Sequence, residues 1–331
     1  MSAVVDVTGI GSWPGTRVRE ALAVVRGELA QGAADGVRPI PYLPELPARG
    51  PGADMIGRAA HLLVDLPVDL QPQGWRLVDR PGRDAERAAS LLAEDLDELA
   101  EASDGYAGPL KVQVAGPWTL AAALWRPLGD RVLGDAGATR DVVDSLTEGI
   151  GAYLGRVQAL VPGAELVLQV DEPSLPTVLR GRVRSESGYS VLRTPERGEV
   201  VPALRQVLDQ RGARTTGVHC CAGDPPVDVL AGSGADFVAL DLEQVGRGRF
   251  EQVAAAVEGG VRLWAGVDPW SPDPAEPLLR RWQEVGLSPA ALAEVGLTPP
   301  CGLASAAPDD ALDATRGLVQ GALRLAERAD A

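Results

Sequence analysis

The sequence alternates short apolar runs with longer amphipathic runs along most of its length, and this alternation constrains the fold more than any other feature. Strands that alternate with helices pair in parallel through right-handed crossovers. About eight such units favour a (β/α)₈ barrel, an α/β TIM barrel, over an open doubly wound sheet or two smaller domains. No change in composition marks a linker. We therefore expect residues 1–331 to form a single barrel domain.

Two sets of runs define the expected elements. The strand-like runs are short and apolar: Val4–Thr8, Leu110–Ala115, Leu166–Val170, Thr215–His219, Phe237–Leu240 and Arg262–Gly266, with weaker candidates at Pro39–Pro41 and just before Cys301. The helix-like runs are Val18–Gln31, Asp54–Leu66, Arg83–Ala102, Arg140–Leu160, Pro202–Arg211, Phe250–Val257 and Asp309–Arg328. A segment rich in Arg, Ser and Gly, 180–198, predicts a long loop at the rim of the barrel.

Composition and charge argue against several classes of partner. An apolar fraction of 45% is enough for a sizeable core, and a net charge of −15 argues against a nucleic-acid surface or an anionic membrane. Residues 1–6 lack the basic and apolar segments of a signal peptide, and no apolar run is long enough to cross a bilayer. The 3 cysteines include an adjacent pair, which does not suit a disulfide framework. We therefore expect a cytoplasmic protein whose partners are small molecules.

The chain has few soft metal ligands, and nearly all of them follow strand-like runs. All 3 cysteines and one of the 2 histidines lie at 219–221 and at 301. In an extended chain the side chains at i and i+2 share a face, so His219 and Cys221 point together and Cys220 points away. Imidazole, thiolate and carboxylate ligands in a roughly tetrahedral set suit Zn²⁺. The pattern therefore predicts a zinc site, with three unrelated buried thiols and a packed histidine as the alternative.

Other polar clusters also follow predicted strands, which is where the chemistry of a (β/α)₈ barrel is located. The clusters are Ile10–Pro14, Pro44–Pro47, Gly116–Thr119 and Asp171–Pro173. Because the carboxyl ends of the strands meet at one face of a barrel, we expect these clusters and the zinc ligands to converge.

Six short motifs occur in an order that resembles the catalytic barrel of cobalamin-independent methionine synthase, in the superfamily that also contains uroporphyrinogen decarboxylase. The motifs are Ile10-Gly11-Ser12-Trp13-Pro14; Glu45 with Asp54-Met55-Ile56; Gly116-Pro117-Trp118-Thr119-Leu120; Gln169-Val170-Asp171-Glu172-Pro173; His219-Cys220-Cys221; and Pro300-Cys301-Gly302-Leu303. Each motif alone is weak, but six in the family's order along the whole chain are specific. The chain resembles a single-barrel form, whereas the plant and bacterial enzymes of the family carry an additional N-terminal barrel.

The resemblance implies a zinc enzyme, a homocysteine S-methyltransferase that forms methionine, with a methylated folate such as 5-methyltetrahydrofolate as the expected donor. By the same resemblance, Ser12 and the backbone of Ile10 would hold the carboxylate of homocysteine. Glu45 and Asp171 would hold its ammonium group. The alternative role for the segment Asp171–Pro173 is to cap a helix.

The resemblance also implies the zinc ligands His219, Cys221 and Cys301, together with an acidic residue just after an apolar strand. Counting back from that strand selects Asp241, whereas counting forward from His219 selects Glu243. We prefer Asp241, because strand register fixes side-chain direction better than loop length does. Glu243 stays open as the alternative.

The segment Val267–Pro272 departs from the family's Asp-Ile-His-Ser-Pro pattern, whose histidine is thought to act as a general acid toward the departing folate. Trp270 occupies that position here. The proton donor would then be Asp268 or a water molecule. Trp118 and Trp270, expected at the rim, could stack on a pterin or another flat group. His61 lies in a helix-like run, where we expect it to pack.

Two other functions stay open. One keeps zinc–thiolate chemistry but uses another thiol, or a corrinoid or other methyl donor. The other is a non-catalytic barrel that binds zinc or an amino acid. Uroporphyrinogen decarboxylase activity would leave the cysteine–histidine cluster unexplained, because that chemistry needs no metal.

Overall fold

The computed structural model describes residues 3–31 and 36–331. Met1 and Ser2 belong to the segment 1–6, which we expect to lack a signal peptide, and they lie outside the described residues. The described strands are β1 (Val5–Val7), β2 (Val37–Pro39), β3 (Val68–Gln71), β4 (Gly74–Leu77), β5 (Gly108–Ala115), β6 (Ala164–Asp171), β7 (Thr215–Cys220), β8 (Phe237–Asp241), β9 (Arg262–Gly266) and β10 (Gly296–Thr298). β3 and β4 form a separate antiparallel hairpin, and the other eight strands form one parallel sheet.

The parallel sheet curves into a barrel. Its strand order is β2-β1-β10-β9-β8-β7-β6-β5, and the two edges meet just beyond β2. There Tyr42 forms a parallel bridge with Lys111 of β5. The Leu43 amide donates to the Lys111 carbonyl at 3.1 Å, and the Lys111 amide donates to the Pro41 carbonyl at 2.8 Å. The predicted TIM-barrel fold is therefore confirmed, while the assignment of a single domain to 1–331 stays a prediction.

Helices surround the barrel. They are α1 (Val18–Ala30), α2 (Met55–His61), α3 (Arg83–Ala102), α4 (Pro117–Ala123), α5 (Ala136–Leu160), α6 (Leu175–Leu179), α7 (Arg197–Leu208), α8 (Val227–Gly232), α9 (Arg247–Glu258), α10 (Glu276–Glu284) and α11 (Pro308–Ala329). Sequence patterns missed α4, α6, α8, α10 and the β3–β4 hairpin, because such short elements give too few repeats to show a period. Within the described ranges, no helix has the length and apolar character needed to cross a membrane.

An apolar layer fills the lower part of the barrel interior. It consists of Ile40, Val167, Phe237, Ala239 and Trp264, all of which are buried. The rings of Phe237 and Trp264 stack with their centroids 3.7 Å apart. Gly217 and Gly296 make room for these rings, since a Cβ at either position would lie 2.4 Å from one of them. The barrel is therefore packed below its mouth, as TIM barrels are.

A charged cluster lies at the amino ends of the strands, below the apolar layer. Arg38 of β2 binds the buried Asp6 of β1 through two hydrogen bonds, Nε to Oδ1 at 2.6 Å and Nη2 to Oδ2 at 2.9 Å. Arg262 of β9 lies 3.5 Å from the same Oδ2. The floor of the barrel thus contains a carboxylate with two cationic partners, which is what a buried charge requires.

Candidate active site

The side chains predicted to form the site gather at the carboxyl ends of the barrel strands. Asp171 and His219 lie near the ends of β6 and β7, and Asp241 ends β8. Cys301 follows β10 and Glu45 follows β2. This is the face at which loops of a TIM barrel carry function.

Asp171 holds the imidazole of His219. The two residues pair in register, and His219 Nδ1 lies 2.9 Å from Asp171 Oδ1. Because a carboxylate only accepts hydrogen bonds, Nδ1 donates, and the lone pair of the neutral ring lies on Nε2. Nε2 is buried and has no hydrogen-bond partner among residues 3–31 and 36–331. The ring therefore presents an unused ligand atom in an orientation fixed by a carboxylate, as metal-binding histidines commonly do.

Cys221 and Cys301 bring two sulfur atoms together from separate segments. Their Sγ atoms are 3.2 Å apart. This distance exceeds the roughly 2.05 Å of a disulfide and falls short of the roughly 3.8 Å between two thiolates on one tetrahedral zinc ion. The contact between the sulfurs lowers the pKa of Cys301 to about 6 and raises the pKa of Cys221. The contact thus favours the thiolate form of Cys301, which binds a cation more readily than the thiol does.

Asp241 and Glu243 differ in placement. Ala239 pairs in register with His219, and Asp241 lies two residues further along the same face of β8. Asp241 is half-buried, and removal from water raises the pKa of its carboxyl group. Its Oδ1 accepts the Glu243 amide at 2.9 Å, while Glu243 itself is exposed in a 3₁₀ turn. Strand alternation therefore directs Asp241 toward the face that carries His219, whereas the 3₁₀ turn takes Glu243 out of the strand.

The four predicted ligands fit zinc in chemistry but do not yet form a coordination shell. In the described ranges, no group of three or more His, Cys, Asp or Glu side chains is placed so that it could hold a metal ion. The donors nevertheless include one imidazole, two thiols and one carboxylate, which suit Zn²⁺. The unpartnered, buried nitrogen of His219 also fits such a role. The two sulfurs would have to separate to become ligands of one ion.

Cys220 lies on the opposite side of β7. Its side chain is fully buried with Val218 in the core between the barrel and the helices. Burial raises the pKa of its thiol to about 12. The alternation of side chains along the strand thus separates Cys220 from His219, as the sequence predicts.

Glu45 lies in a buried polar cluster on the far side of β5 from Asp171. Its Oε1 accepts Gln113 Nε2 at 3.2 Å and lies 3.6 Å from Arg58 Nε. Burial raises the pKa of Glu45, to about 7, although Arg58 opposes this shift; the charge of Asp171 adds to it. The two carboxyl groups are therefore close enough to influence each other.

The carbonyl of Ile10 is already engaged in two hydrogen bonds. Lys111 Nζ and Gln169 Nε2 each donate to it at 2.8 Å. Lys111 is fully buried, and burial lowers its pKa to about 7. Gln169 Nε2 also donates to Asp171 Oδ1 at 2.8 Å. Of the Ile10 backbone, only the amide could serve the predicted contact with a substrate carboxylate, since a carbonyl repels an anion.

Ser12 lies where three segments of the mouth meet. It forms a parallel bridge with Glu45, and its carbonyl accepts the Leu303 amide at 2.8 Å. A Cβ at position 302 would lie 2.0 Å from Ser12 Oγ, so Gly302 allows the loop after Cys301 to pack on this hydroxyl. The loop after β1, which contains Ser12, therefore links the segment that carries Glu45 with the segment that carries Cys301.

Glu172 stabilises the wall of the barrel. Its carboxylate accepts the amides of Trp118 and Thr119, at 2.9 and 2.8 Å, and the Thr119 hydroxyl at 2.7 Å. A Cβ at Gly116 would lie 2.4 Å from Glu172 Oε1. Within the segment Asp171–Pro173, Glu172 therefore has the helix-capping role, and the helix it caps is α4. Asp171 instead faces the barrel interior.

Trp118 and Trp270 occupy different surroundings. Trp118 is 1% exposed and lines, with Pro202, a pocket between α4, α5 and α7. This position in the helix layer does not suit stacking on a substrate at the mouth. Trp270 is 52% exposed, donates from Nε1 to the Asp310 carbonyl at 3.0 Å, and borders a groove of about 500 Å³ beside Gly302.

Asp268 and His61 are the two remaining candidates for proton transfer. Asp268 is exposed after β9, and its Oδ1 accepts the Trp270 amide at 3.1 Å. His61 ends α2, where partial burial lowers its pKa. Of the two, Asp268 lies at the mouth of the barrel.

Sequence reasoning missed three residues of the site. Lys111 and Gln113 occupy alternate positions of the otherwise apolar β5, and this spacing indicates the interior face of a strand. Arg58 interrupts the apolar run of α2, and a buried arginine requires a partner. Both signals could have been found from the sequence, although neither identifies the partner.

Comparison with known proteins gives a likeness in fold. No protein-family profile matches the chain, and no curated protein matches it in sequence. A B12-independent methionine synthase from Shewanella sp. W3-18-1, in complex with selenomethionine, superposes with a TM-score of 0.58 at 12% identity, over 97% of this chain and 97% of that chain. A β-galactosidase from Marinomonas ef1 gives a TM-score of 0.44 at 14% identity, over 96% of this chain and 59% of that chain. A morphinone reductase variant in complex with tetrahydroNAD gives 0.42 at 12% identity, over 89% and 82% of the two chains. The superposition with a TM-score of 0.58 supports the barrel fold alone, and a fold does not by itself identify an activity.

Proposed function

We propose that the protein is a zinc-dependent methyltransferase that moves a methyl group to the thiol of homocysteine and forms methionine. The observation that carries the proposal is the pairing of His219 with Asp171, which leaves a buried imidazole nitrogen without a partner among the described residues. Two thiols from separate segments lie in contact at the same face of the barrel. The fold-level likeness to a methionine synthase adds support.

The residues proposed to hold Zn²⁺ are His219, Cys221, Cys301 and Asp241. The bound ion would lower the pKa of the substrate thiol and keep it as a thiolate, the nucleophilic form. Asp171 keeps His219 in one tautomer, which fixes the direction of its free lone pair. The contact between the sulfurs lowers the pKa of Cys301, so this thiol gives up its proton readily, whereas the bound ion would have to displace the proton of Cys221.

Glu45 is the proposed partner of the substrate ammonium group. Asp171 contributes negative charge nearby, but its Oδ1 is shared by Gln169 and His219. Its role in substrate binding is thus secondary to its role in holding the imidazole. Ser12 and the Ile10 amide are the proposed contacts of the substrate carboxylate.

A methylated folate is the proposed donor. The bond between its nitrogen and the methyl carbon breaks as the sulfur–methyl bond forms, and the nitrogen then takes up a proton. Trp270 offers an exposed flat surface at the mouth, and Asp268 two residues away can pass on that proton. The proposed partners are thus two small molecules, and the cytoplasm is the proposed location.

A methyl-transfer assay tests the proposal. Zinc-loaded protein is incubated with homocysteine and with 5-methyltetrahydrofolate or methylcobalamin, and methionine is measured by mass spectrometry. Methionine formed from the folate supports the proposal, and turnover with the corrinoid alone would change the donor. Binding of zinc and homocysteine without turnover would contradict the proposal and favour a non-catalytic barrel. Cys301→Ser provides the matched inactive control.

A further inference from the structure

A row of charges that alternate in sign runs from the mouth of the barrel to the protein surface. The row consists of Glu45, Arg58, Asp95, Arg49 and Glu94. Arg58 lies 3.6 Å from Glu45 and contacts Asp95, which also contacts Arg49. Arg49 then reaches Glu94 at 2.7 Å. The first four side chains are at most 8% exposed, so water screens little of their interaction.

Arg58 keeps its charge in this environment. Burial opposes the charged form, but the carboxylates of Glu45 and Asp95 outweigh it and raise the pKa of Arg58. Asp95 of α3 fixes the guanidinium from behind, because it accepts a hydrogen bond from Arg58 Nη1. Glu45 therefore faces a permanent cation in a fixed position.

Glu45 depends on that cation for its own charge. The groups that face its carboxyl group are Arg58 of α2, Lys111 and Gln113 of β5, Asp171 of β6 and Tyr153 of α5. Burial and Asp171 raise the pKa of Glu45, whereas Arg58 and Lys111 lower it. Arg58 makes the largest of the lowering contributions, followed by the hydrogen bond from Gln113 and the charge of Lys111. Loss of Arg58 would therefore raise the pKa of Glu45 further and favour the neutral acid, which binds an ammonium group weakly.

Little room is left for water behind the Glu45 carboxylate. The space between Glu45, Arg58, Gln113 and Tyr153 is a cavity of about 10 Å³ with otherwise apolar walls. Such a volume holds about one water molecule at most. The charged form of Glu45 therefore depends on its protein neighbours more than on water.

We propose that Arg58 is a positioning residue that holds the Glu45 carboxylate in place and in its charged form, so that the site selects thiols that carry a primary ammonium group. The inference rests on the proposed function, and Arg58 acts through Glu45 without touching the substrate. Asp95 and Arg49 continue the row but do not contact Glu45.

The test compares two thiols that differ only in the amino group: homocysteine and 4-mercaptobutanoate. Because Arg58 lowers the pKa of Glu45, the variant Arg58→Met raises it, and Glu45 is then protonated over a wider range of low pH. We expect KM for homocysteine in this variant to be roughly tenfold higher at pH 6.5 than at pH 8.5, beyond any change in the wild type. KM for 4-mercaptobutanoate should keep the wild-type profile.

Two further variants separate positioning from structural support. Arg49→Met removes an equally buried arginine of the same row, and we expect lower stability with an unchanged pH profile. Arg58→Lys keeps a cation and should restore most of the wild-type profile. An Arg58→Met profile that matches the wild type would overturn the inference, as would an equal shift in Arg49→Met.

Titration of Glu45 followed by ¹³C NMR measures the effect of Arg58 on the pKa of Glu45 and does not require turnover. The carboxyl signal is assigned by its loss in Glu45→Gln, and its midpoint should move to higher pH in Arg58→Met. If the protein fails to methylate homocysteine but this shift is present, the proposed function fails while the contact stands. If homocysteine is methylated and the midpoint does not move, the inference fails by itself.

Discussion

The floor and the mouth of the barrel both contain buried polar groups, but they differ in how those groups are satisfied. At the floor, Asp6 binds Arg38 and Arg262, and none of the three has a buried polar atom without a partner in the described ranges. At the mouth, Gln169 Oε1 and His219 Nε2 are buried and lack partners within the same ranges.

The contrast indicates what each end of the barrel is for. A buried polar atom without a partner costs about 1–3 kcal/mol. Trp264 Nε1, in the apolar layer between the two ends, is also buried without a partner in the described ranges, but Gln169 and His219 lie at the face where barrel loops carry function. We therefore expect the mouth to serve binding and the floor to serve stability. The following changes test this division, in order of decreasing effect.

Loss of either thiol at the mouth should have the largest effect. We expect Cys221→Ser and Cys301→Ser to weaken zinc binding by more than about 100-fold, above the loss typical of residues that merely support a ligand. Cys220→Ser, on the other face of β7, should keep its zinc. Metal content by atomic emission after dialysis gives the comparison. If Cys220 proves as necessary as Cys221, the assignment of faces is wrong.

The acidic ligand should come next. Asp241→Ala is expected to weaken zinc binding by roughly 100-fold, because it removes a direct ligand from the face that carries His219. Glu243→Ala is the matched control and should change the affinity by less than about threefold. Competition with a chromophoric chelator measures both. The reverse order would transfer the ligand role to Glu243.

Substitutions of Asp171 and Glu45, the two carboxylates at the mouth, should affect different ligands. Asp171→Asn is expected to lower zinc affinity by about 10- to 100-fold, because the imidazole of His219 loses its negatively charged acceptor. Glu45→Gln should leave zinc content unchanged and weaken homocysteine binding by more than about tenfold. Calorimetry with homocysteine and metal analysis give the two readouts. Normal homocysteine binding in Glu45→Gln would remove the main support for an amino-acid substrate.

Loss of the buried charge of Asp6 at the floor should lower stability and leave ligand binding unchanged. Asp6→Asn removes the charge that two arginines share, and we expect the free energy of unfolding to fall by about 2 kcal/mol. Zinc and homocysteine binding should match those of the wild type. Urea unfolding and calorimetry measure the two quantities. A loss of binding without a loss of stability would contradict the division between floor and mouth.

The regular elements of the fold could be predicted from the sequence because their patterns are long or sharply bounded. β9 (Arg262–Gly266) and α3 (Arg83–Ala102) begin and end where the runs predict. The face of Cys220 also followed from alternation along β7. Local spacing contains this information, so no partner had to be known.

Contacts between distant segments could not be predicted in the same way. The sequence indicated that Asp171 and His219 both lie near the mouth, but the hydrogen bond between them depends on the register of β6 and β7. Trp118 was expected at the rim, and the turn of α4 places its ring among the helices instead. Such details follow from three-dimensional packing, which a single sequence does not encode in its local spacing.

The apolar layer beneath the mouth has a kinetic consequence. Because stacked rings block the axis of the described barrel, a small molecule that enters at the strand carboxyl ends must leave by the same route. Under the proposed function, methionine would occupy the passage that the next homocysteine needs. Product should therefore inhibit competitively with respect to homocysteine, and its departure would set the pace of turnover once donor is in excess.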